Sequence, residues 1–166
     1  MDFVTSALIL AWLAILVLAL AMAGLLHQVR ALSSGRTVRA TVGPPVGAEA
    51  PPLWPDGRSF AEVHTIALFL DPECESCVRS LRMADELAAV NNRDTRFVAV
   101  YRDGVGGHGA SHVELLDHAS EAFSRYRVPL TPFGVVIGKN RRIVGAAPLG
   151  SETSLRELVE VSLTKG

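Results

Sequence analysis

The chain lacks any strong excess of charge. Sixteen Lys and Arg stand against 17 Asp and Glu, giving a net charge of −1 and a pI near 6.5, so there is no electrostatic case for nucleic acid as a partner. It also lacks an internal repeat and the length for two full domains, since 166 residues and 17.7 kDa hold one ordinary domain and an appendage. Cysteine is nearly absent: Cys74 and Cys77 are the only two, and they permit a single disulfide at most. A further absence is local. From Phe3 to Leu26 no residue is charged, and no Lys or Arg precedes that run.

Hydrophobic residues make up 49% of the chain and mean hydropathy is +0.29, with the excess concentrated in that one stretch. As a helix at roughly 1.5 Å per residue, the run spans about 36 Å. A hydrocarbon core is about 30 Å thick, so the run crosses it with some tilt. Trp12 lies well inside the run and is no obvious interface anchor. Ala21-Met22-Ala23 resembles a signal-peptide cleavage site, but a signal peptide would carry a basic residue where this chain has Asp2, and a shorter apolar core. The expectation is an uncleaved transmembrane anchor over 3–26, with the lipid bilayer as its partner. Arg30, Arg36 and Arg39 follow it closely, and by the positive-inside rule they would leave the remainder in the cytoplasm.

Residues 27–58 read as a tether. Gly43-Pro44-Pro45, Gly47, Pro51-Pro52, Pro55 and Gly57 break regular elements and favour extended, polyproline-like backbone. From Ser59 to the end, strand and helix alternate. His64–Leu70 is a short, nearly continuous apolar run, as in a strand buried on both faces, and Pro72 ends it. Val78, Leu81, Ala84, Leu87, Ala88 and Val90 recur at helical spacing, closing near Asn91-Asn92. Residues 96–101 form a second strand. Val113, Leu116, Ala119, Ala122 and Phe123 predict a second helix. Residues 133–137 and 142–145 flank Gly138-Lys139-Asn140-Arg141 as a hairpin. Leu155, Leu158, Val159 and Leu163 mark a last helix, with Ser151 or the box Ser154-Leu155-Arg156-Glu157 as its cap. The predicted order is β-α-β-α-β-β-α: parallel strands with crossover helices, then an antiparallel hairpin and a closing helix.

The cysteines fall in Asp71-Pro72-Glu73-Cys74-Glu75-Ser76-Cys77, where the first strand meets the first helix. Two thiols in this spacing at a helix N-terminus close a small disulfide and reopen it, and the unpaired N–H groups favour the thiolate of the first. A static bridge is the duller reading, but closing a four-residue loop constrains little of the unfolded chain. Cys74 and Cys77 with His108-x-x-x-His112 have ligand types found in zinc sites, yet about thirty residues separate the pairs where fingers use about 12–15. Gly104-Val105-Gly106-Gly107-His108-Gly109 spells the dinucleotide fingerprint, but it does not follow the first strand, and Arg127-Val128-Pro129 stands where the acidic ribose partner belongs. It reads better as a flexible loop near the rim of the site. Neither a metal nor another cofactor is expected.

This order of elements, with Cys-x-x-Cys at the first strand–helix junction, resembles the thioredoxin fold. The segment Tyr126-Arg127-Val128-Pro129-Leu130-Thr131-Pro132-Phe133 is similar to the thioredoxin stretch that carries a cis-proline before the hairpin. A cis X-Pro bond costs only about 0.5–1 kcal/mol, against about 2.5–4 for other residues. The resemblance implies a mixed sheet with helices on both faces over 59–166. It also implies a redox-active disulfide Cys74–Cys77, with Cys74 as nucleophile and Cys77 as the buried resolving thiol, and substrate backbone bound at Thr131 and Pro132. Peroxidases of this fold place Thr or Ser three positions before the reactive cysteine, where this chain has Asp71. The copper-delivering branch typically has three residues between its cysteines, not two.

With its anchor and tether, the chain looks like the membrane-bound TlpA/ResA-type thiol–disulfide proteins. Leu26-His27-Gln28-Val29-Arg30-Ala31-Leu32 and Gly43-Pro44-Pro45-Val46-Gly47 are similar to the methylamine-utilisation disulfide protein (MauD-like) branch. That implies a domain outside the cytoplasm, an upstream electron donor, and protein substrates bearing cysteines or disulfides. Two departures stand out. Glu73 replaces the aromatic residue common before the first cysteine, and Leu68 replaces the buried acid of the first strand. Asp71, Glu73 and Glu75 crowd Cys74 and disfavour its thiolate, against a helix-terminus effect of typically about 0.3–1 kcal/mol. The expectation is a Cys74 less acidic than in strongly oxidising members, hence a reductant or isomerase. A non-catalytic thioredoxin-like module that binds a partner or delivers a metal is the competing reading.

Overall fold

The computed structural model describes residues 7–9, 12–18, 20, 43–58, 60, 63–91 and 94–164, in two units, Met1–Ala40 and Thr41–Gly166. In the first unit the described residues are helical, and their large apolar side chains, among them Leu8, Trp12 and Leu18, are exposed. Among the described residues no helix is long and apolar enough to cross a membrane. The span expected over 3–26 lies for the most part outside them.

The second unit runs β1 (His64–Leu70), α1 (Glu75–Asn91), β2 (Thr95–Tyr101), β3 (Glu114–Leu116), α2 (Ser120–Arg125), β4 (Phe133–Ile137), β5 (Ile143–Pro148) and α3 (Glu152–Thr164). The strands lie in the order β3-β2-β1-β4-β5. β1 is central, parallel to β2 and antiparallel to β4, with every residue buried. Its side-chain parity sorts the core into two clusters, since successive residues of a strand point to opposite faces. Ile66, Leu68 and Leu70 pack with Leu81, Ala84 and Ala88 of α1 and with Leu155, Leu158 and Val159 of α3. Ala67 and Phe69 pack on the other face with Ala122 and Phe123 of α2. Ser151 caps α3, its hydroxyl oxygen accepting the Ser154 N–H at 3.3 Å.

The structure differs from the sequence reading in two places. The predicted second helix is split. Val113 packs in one cluster and Leu116 in the other, so they face opposite sides of the sheet, where helical residues three apart would share a side. Glu114–Leu116 is instead an edge strand parallel to β2, and the helix is reduced to six residues.

The second difference lies in the described part of the tether expected over 27–58; residues 27–42 are outside the described residues. Residues 43–58 belong to the folded unit, with Ala50, Leu53 and Trp54 buried against the face that carries α2. A six-residue helix is only about 9 Å long and leaves much of that face bare; this segment covers the rest. Its backbone is held by Gly47 N–H to Ile143 O at 2.7 Å, Ala50 N–H to Arg141 O at 2.8 Å and Ile143 N–H to Ala48 O at 2.9 Å. The Tyr126 hydroxyl donates to Pro51 O at 2.7 Å, and the Trp54 indole N–H donates to Glu114 Oε1 at 2.9 Å. Proline breaks helices and strands, but it does not prevent burial.

Candidate active site

β1 ends at Leu70 and the chain turns at once. Cys74 N–H donates to Asp71 O at 3.3 Å, while the Asp71 carboxylate accepts the Glu73 N–H at 2.9 Å. Pro72 sits where the turn needs a fixed φ. The Cys74 carbonyl accepts from Cys77 N–H at 3.0 Å and Val78 N–H at 3.1 Å, which makes Cys74 the residue that opens α1. Cys77 then falls in the first turn, 1% exposed, while Cys74 is half-buried. Both are free thiols.

The two sulfurs are driven apart chemically. Burial pushes Cys74 up, but the Cys77 thiol, the Ser76 hydroxyl and the N–H groups of Cys77 and Ser76 hydrogen-bond its sulfur, and the net direction is below its ordinary value. Burial pushes Cys77 up to about 12, reinforced by Cys74 and opposed by hydrogen bonds from the Asp71 N–H and the Thr131 hydroxyl. Leu68, in place of an acid, lies in the same apolar cluster as Cys77. Two of the three carboxylates expected to repel the Cys74 thiolate have other partners: Asp71 takes the Glu73 N–H, and Glu75 takes Arg79 at 2.6 Å.

Thr131 reaches Cys77 from far along the chain. α2 ends with Arg127 at φ +49, Arg127 N–H on Ser124 O at 3.1 Å and Val128 N–H on Phe123 O at 3.0 Å, a Schellman closure. This redirects the chain into Pro129-Leu130-Thr131-Pro132. The Thr131–Pro132 peptide bond is cis, and Pro132 O accepts the Leu149 N–H at 2.9 Å. A cleft of about 380 Å³ opens beside Glu73 and Thr131, lined by Leu70, Phe123, Val128 and Leu130 and by the charged Asp71, Arg102 and Asp103. Arg102 lies 4.5 Å from the Phe123 ring centroid.

All four residues singled out in the sequence, Cys74, Cys77, Thr131 and Pro132, therefore meet at one end of the sheet. The two histidines do not join the sulfurs. His108 Nε2 is 3.1 Å from Pro72 O, and His112 Nδ1 is 3.7 Å from Asp85. Among the described residues no cluster of three or more His, Cys, Asp or Glu could hold a metal. Sequence reasoning missed Ser76 and Tyr101. Ser76 Oγ lies 2.9 Å from Cys74 Sγ, and its position between the cysteines was the available signal. Tyr101 is pushed up to about 12 by burial and by nearby Cys77; nothing in the pattern of β2 marks it.

No family model matches the sequence, and no curated protein does. Solved structures are similar in fold. A proposed thiol:disulfide interchange protein, DsbE, from Chlorobium tepidum has TM-score 0.56 at 17% identity, covering 71% of this chain and 98% of that one. The exposed lipoprotein thioredoxin of Streptococcus pneumoniae has TM-score 0.52 at 20% identity, covering 69% and 98%. The reduced 2-Cys peroxiredoxin of Plasmodium vivax has TM-score 0.54 at 15% identity, covering 72% and 96%. The chain thus has a thioredoxin-like α/β fold, a mixed sheet with helices on both faces. The likenesses extend to a peroxiredoxin, so they speak to the fold, and what the site does chemically has to be argued from the residues at the cysteines.

Proposed function

We propose that this protein is a membrane-anchored thiol–disulfide oxidoreductase of the TlpA/ResA type, which reduces or isomerises disulfides in partner proteins. The observation that carries the reading is the opposed state of the two thiols, one half-buried and lowered, the other buried and raised to about 12. Cys74 thiolate attacks one sulfur of a substrate disulfide, forming a mixed disulfide and releasing the other as thiolate. Cys77 then gives up its proton and attacks Cys74 Sγ; the Cys74–Cys77 disulfide forms and the second substrate thiol leaves. Two electrons pass to the substrate, and an upstream dithiol donor returns them. In isomerisation the released substrate thiolate attacks instead, and no net electrons pass. In this reading Thr131 and Pro132 hold an extended substrate segment against the sulfurs, and the hydrogen bond of the Thr131 hydroxyl to Cys77 supports it.

The uncharged run over 3–26 supports the anchor, with apolar side chains exposed wherever it is described. The opening segments support the MauD-like branch. We place the folded unit outside the cytoplasm, because large domains translocate despite flanking arginines. Asp71 three residues before Cys74 argues against peroxidase chemistry.

Insulin reduction by the purified full-length chain with dithiothreitol tests the reading. Cys77→Ser should accumulate a mixed disulfide and Cys74→Ser should abolish it. A wild-type chain that reduces nothing and forms no mixed disulfide would overturn it in favour of a non-catalytic binding or metal-delivery module. Alkylation of Cys74 by an impermeant reagent in intact and broken cells tests the side of the membrane.

A further inference from the structure

The glycine-rich loop between β2 and β3 touches the cysteine turn at two points. His108 Nε2 lies 3.1 Å from the Pro72 carbonyl oxygen. That oxygen has no hydrogen to give, so the ring N–H is the donor. Gly106, at φ +59, packs so closely on Pro72 that a Cβ there would overlap the proline Cβ. The far end of the loop is fastened to the middle of α1, where Asp85 Oδ1 accepts the N–H of Ser111 at 2.9 Å and of His112 at 2.6 Å. Between these ends Val105 and Ala110 pack on the cluster that holds Cys77, as Cys74 does. The loop is therefore a strap from the cysteine turn to α1. Pro72 lacks an N–H, which leaves its carbonyl as its one hydrogen-bonding group, and His108 takes that group.

We propose that His108 is a positioning residue for Cys74: its Nε2–H holds the Pro72 carbonyl and thereby keeps the Asp71–Cys74 turn in the conformation that presents Cys74 Sγ to Ser76 and Cys77. The inference rests on the reading that Cys74 is the attacking thiol. The spacing Gly104-x-Gly106-x-x-Gly109 serves this contact, with Gly106 giving the approach to Pro72 and the next turn, closed by His108 N–H on Val105 O at 3.1 Å, aiming the ring. Around Cys74 the other titratable groups are Cys77, Asp71, Glu73 and Glu75 on its own turn and helix. Arg102 and Asp103 line the cleft with Asp71 and Glu73. Substituting His108 changes none of these.

The test uses the reduced full-length chain with His108→Leu, His108→Gln and Gly106→Ala, following thiolate absorbance against pH, iodoacetamide alkylation of Cys74 at pH 7, and thermal unfolding. His108→Leu should slow alkylation about three- to tenfold and move the thiolate midpoint upward, the size expected for one lost hydrogen bond. His108→Gln, whose amide N–H can donate to the same carbonyl, should stay within about twofold of wild type. Gly106→Ala, which forces Pro72 aside, should act in the same direction as His108→Leu. A His108→Leu chain that melts earlier but keeps the wild-type rate and pH profile would overturn the proposal, leaving the loop as packing alone. Failure of the oxidoreductase reading shows elsewhere, as absence of the Cys77→Ser mixed disulfide in the unaltered loop background.

Discussion

Ser76 Oγ lies 2.9 Å from Cys74 Sγ, inside the short loop bounded by the two cysteines. Once Cys74 is a thiolate the hydroxyl must be the donor, since the sulfur has no proton left. Ser76→Ala should therefore slow iodoacetamide alkylation of Cys74 at pH 7 by about two- to tenfold, the worth of one hydrogen bond. Its thiolate should appear at higher pH in a 240 nm titration. An unchanged profile would mean that the backbone N–H groups and Cys77 suffice.

Thr131 acts on the other sulfur. Its hydroxyl lowers Cys77 against the larger upward push of burial and Cys74, so Thr131→Val should raise Cys77 further and leave less thiolate for the second step. With insulin as substrate, the mixed disulfide on Cys74 should persist about two- to tenfold longer, measurable by acid quench and mass spectrometry. The first step, attack by Cys74, should change much less.

His64 opens β1 at the end of the sheet opposite the cysteines. Burial, and then Lys139, lowers it, with Asp94 opposing, and its Nδ1 has no hydrogen-bond partner. The folded state therefore holds it neutral where the unfolded chain takes up a proton. Below the ordinary value of 6.5 the unfolded state binds more protons, so stability falls as pH falls. His64→Val should flatten urea-unfolding midpoints between pH 6.5 and 5, while Lys139→Ala should flatten them less.

Trp54 is 1% exposed, stacks edge-on with Phe60 at 5.3 Å, and donates to Glu114. Trp54→Ala should cost about 3–5 kcal/mol in chemical unfolding. A fragment that begins at residue 59 removes Trp54, Leu53 and the Pro51 carbonyl that Tyr126 uses; it should unfold at much lower denaturant than one that begins at 41. Equal stability of the two fragments would show that residues 43–58 contribute nothing to the fold.

How far each feature was legible follows from the distance over which it is encoded. β1 was evident because a strand covered on both faces must be apolar at nearly every position, and the five consecutive residues Ile66–Leu70 satisfy that. α1 was evident from its 3.6-residue spacing. Val113 and Leu116 misled because a spacing of three fits one helix face as well as two sides of a strand, and only the place beside β2 decides between them. Residues 43–58 misled because proline and glycine report backbone conformation and say nothing of burial. The need for that segment arises from a bare sheet face elsewhere.

By itself, the sequence determined the alternation of strand and helix and the placing of two thiols at the first strand–helix junction. These depend on periodicity and on neighbours a few residues apart. Cys74 is lowered by near neighbours, Ser76 and Cys77, but the tertiary structure alone decided how Cys77 is raised, because its burial and its bond to Thr131 require β1, α1 and the segment before β4 to meet. It alone also brought His108 to Pro72, 36 residues away in the chain, and Trp54 to Glu114, 60 away. Such contacts leave no local pattern, since either partner would look the same in the sequence had the other been elsewhere.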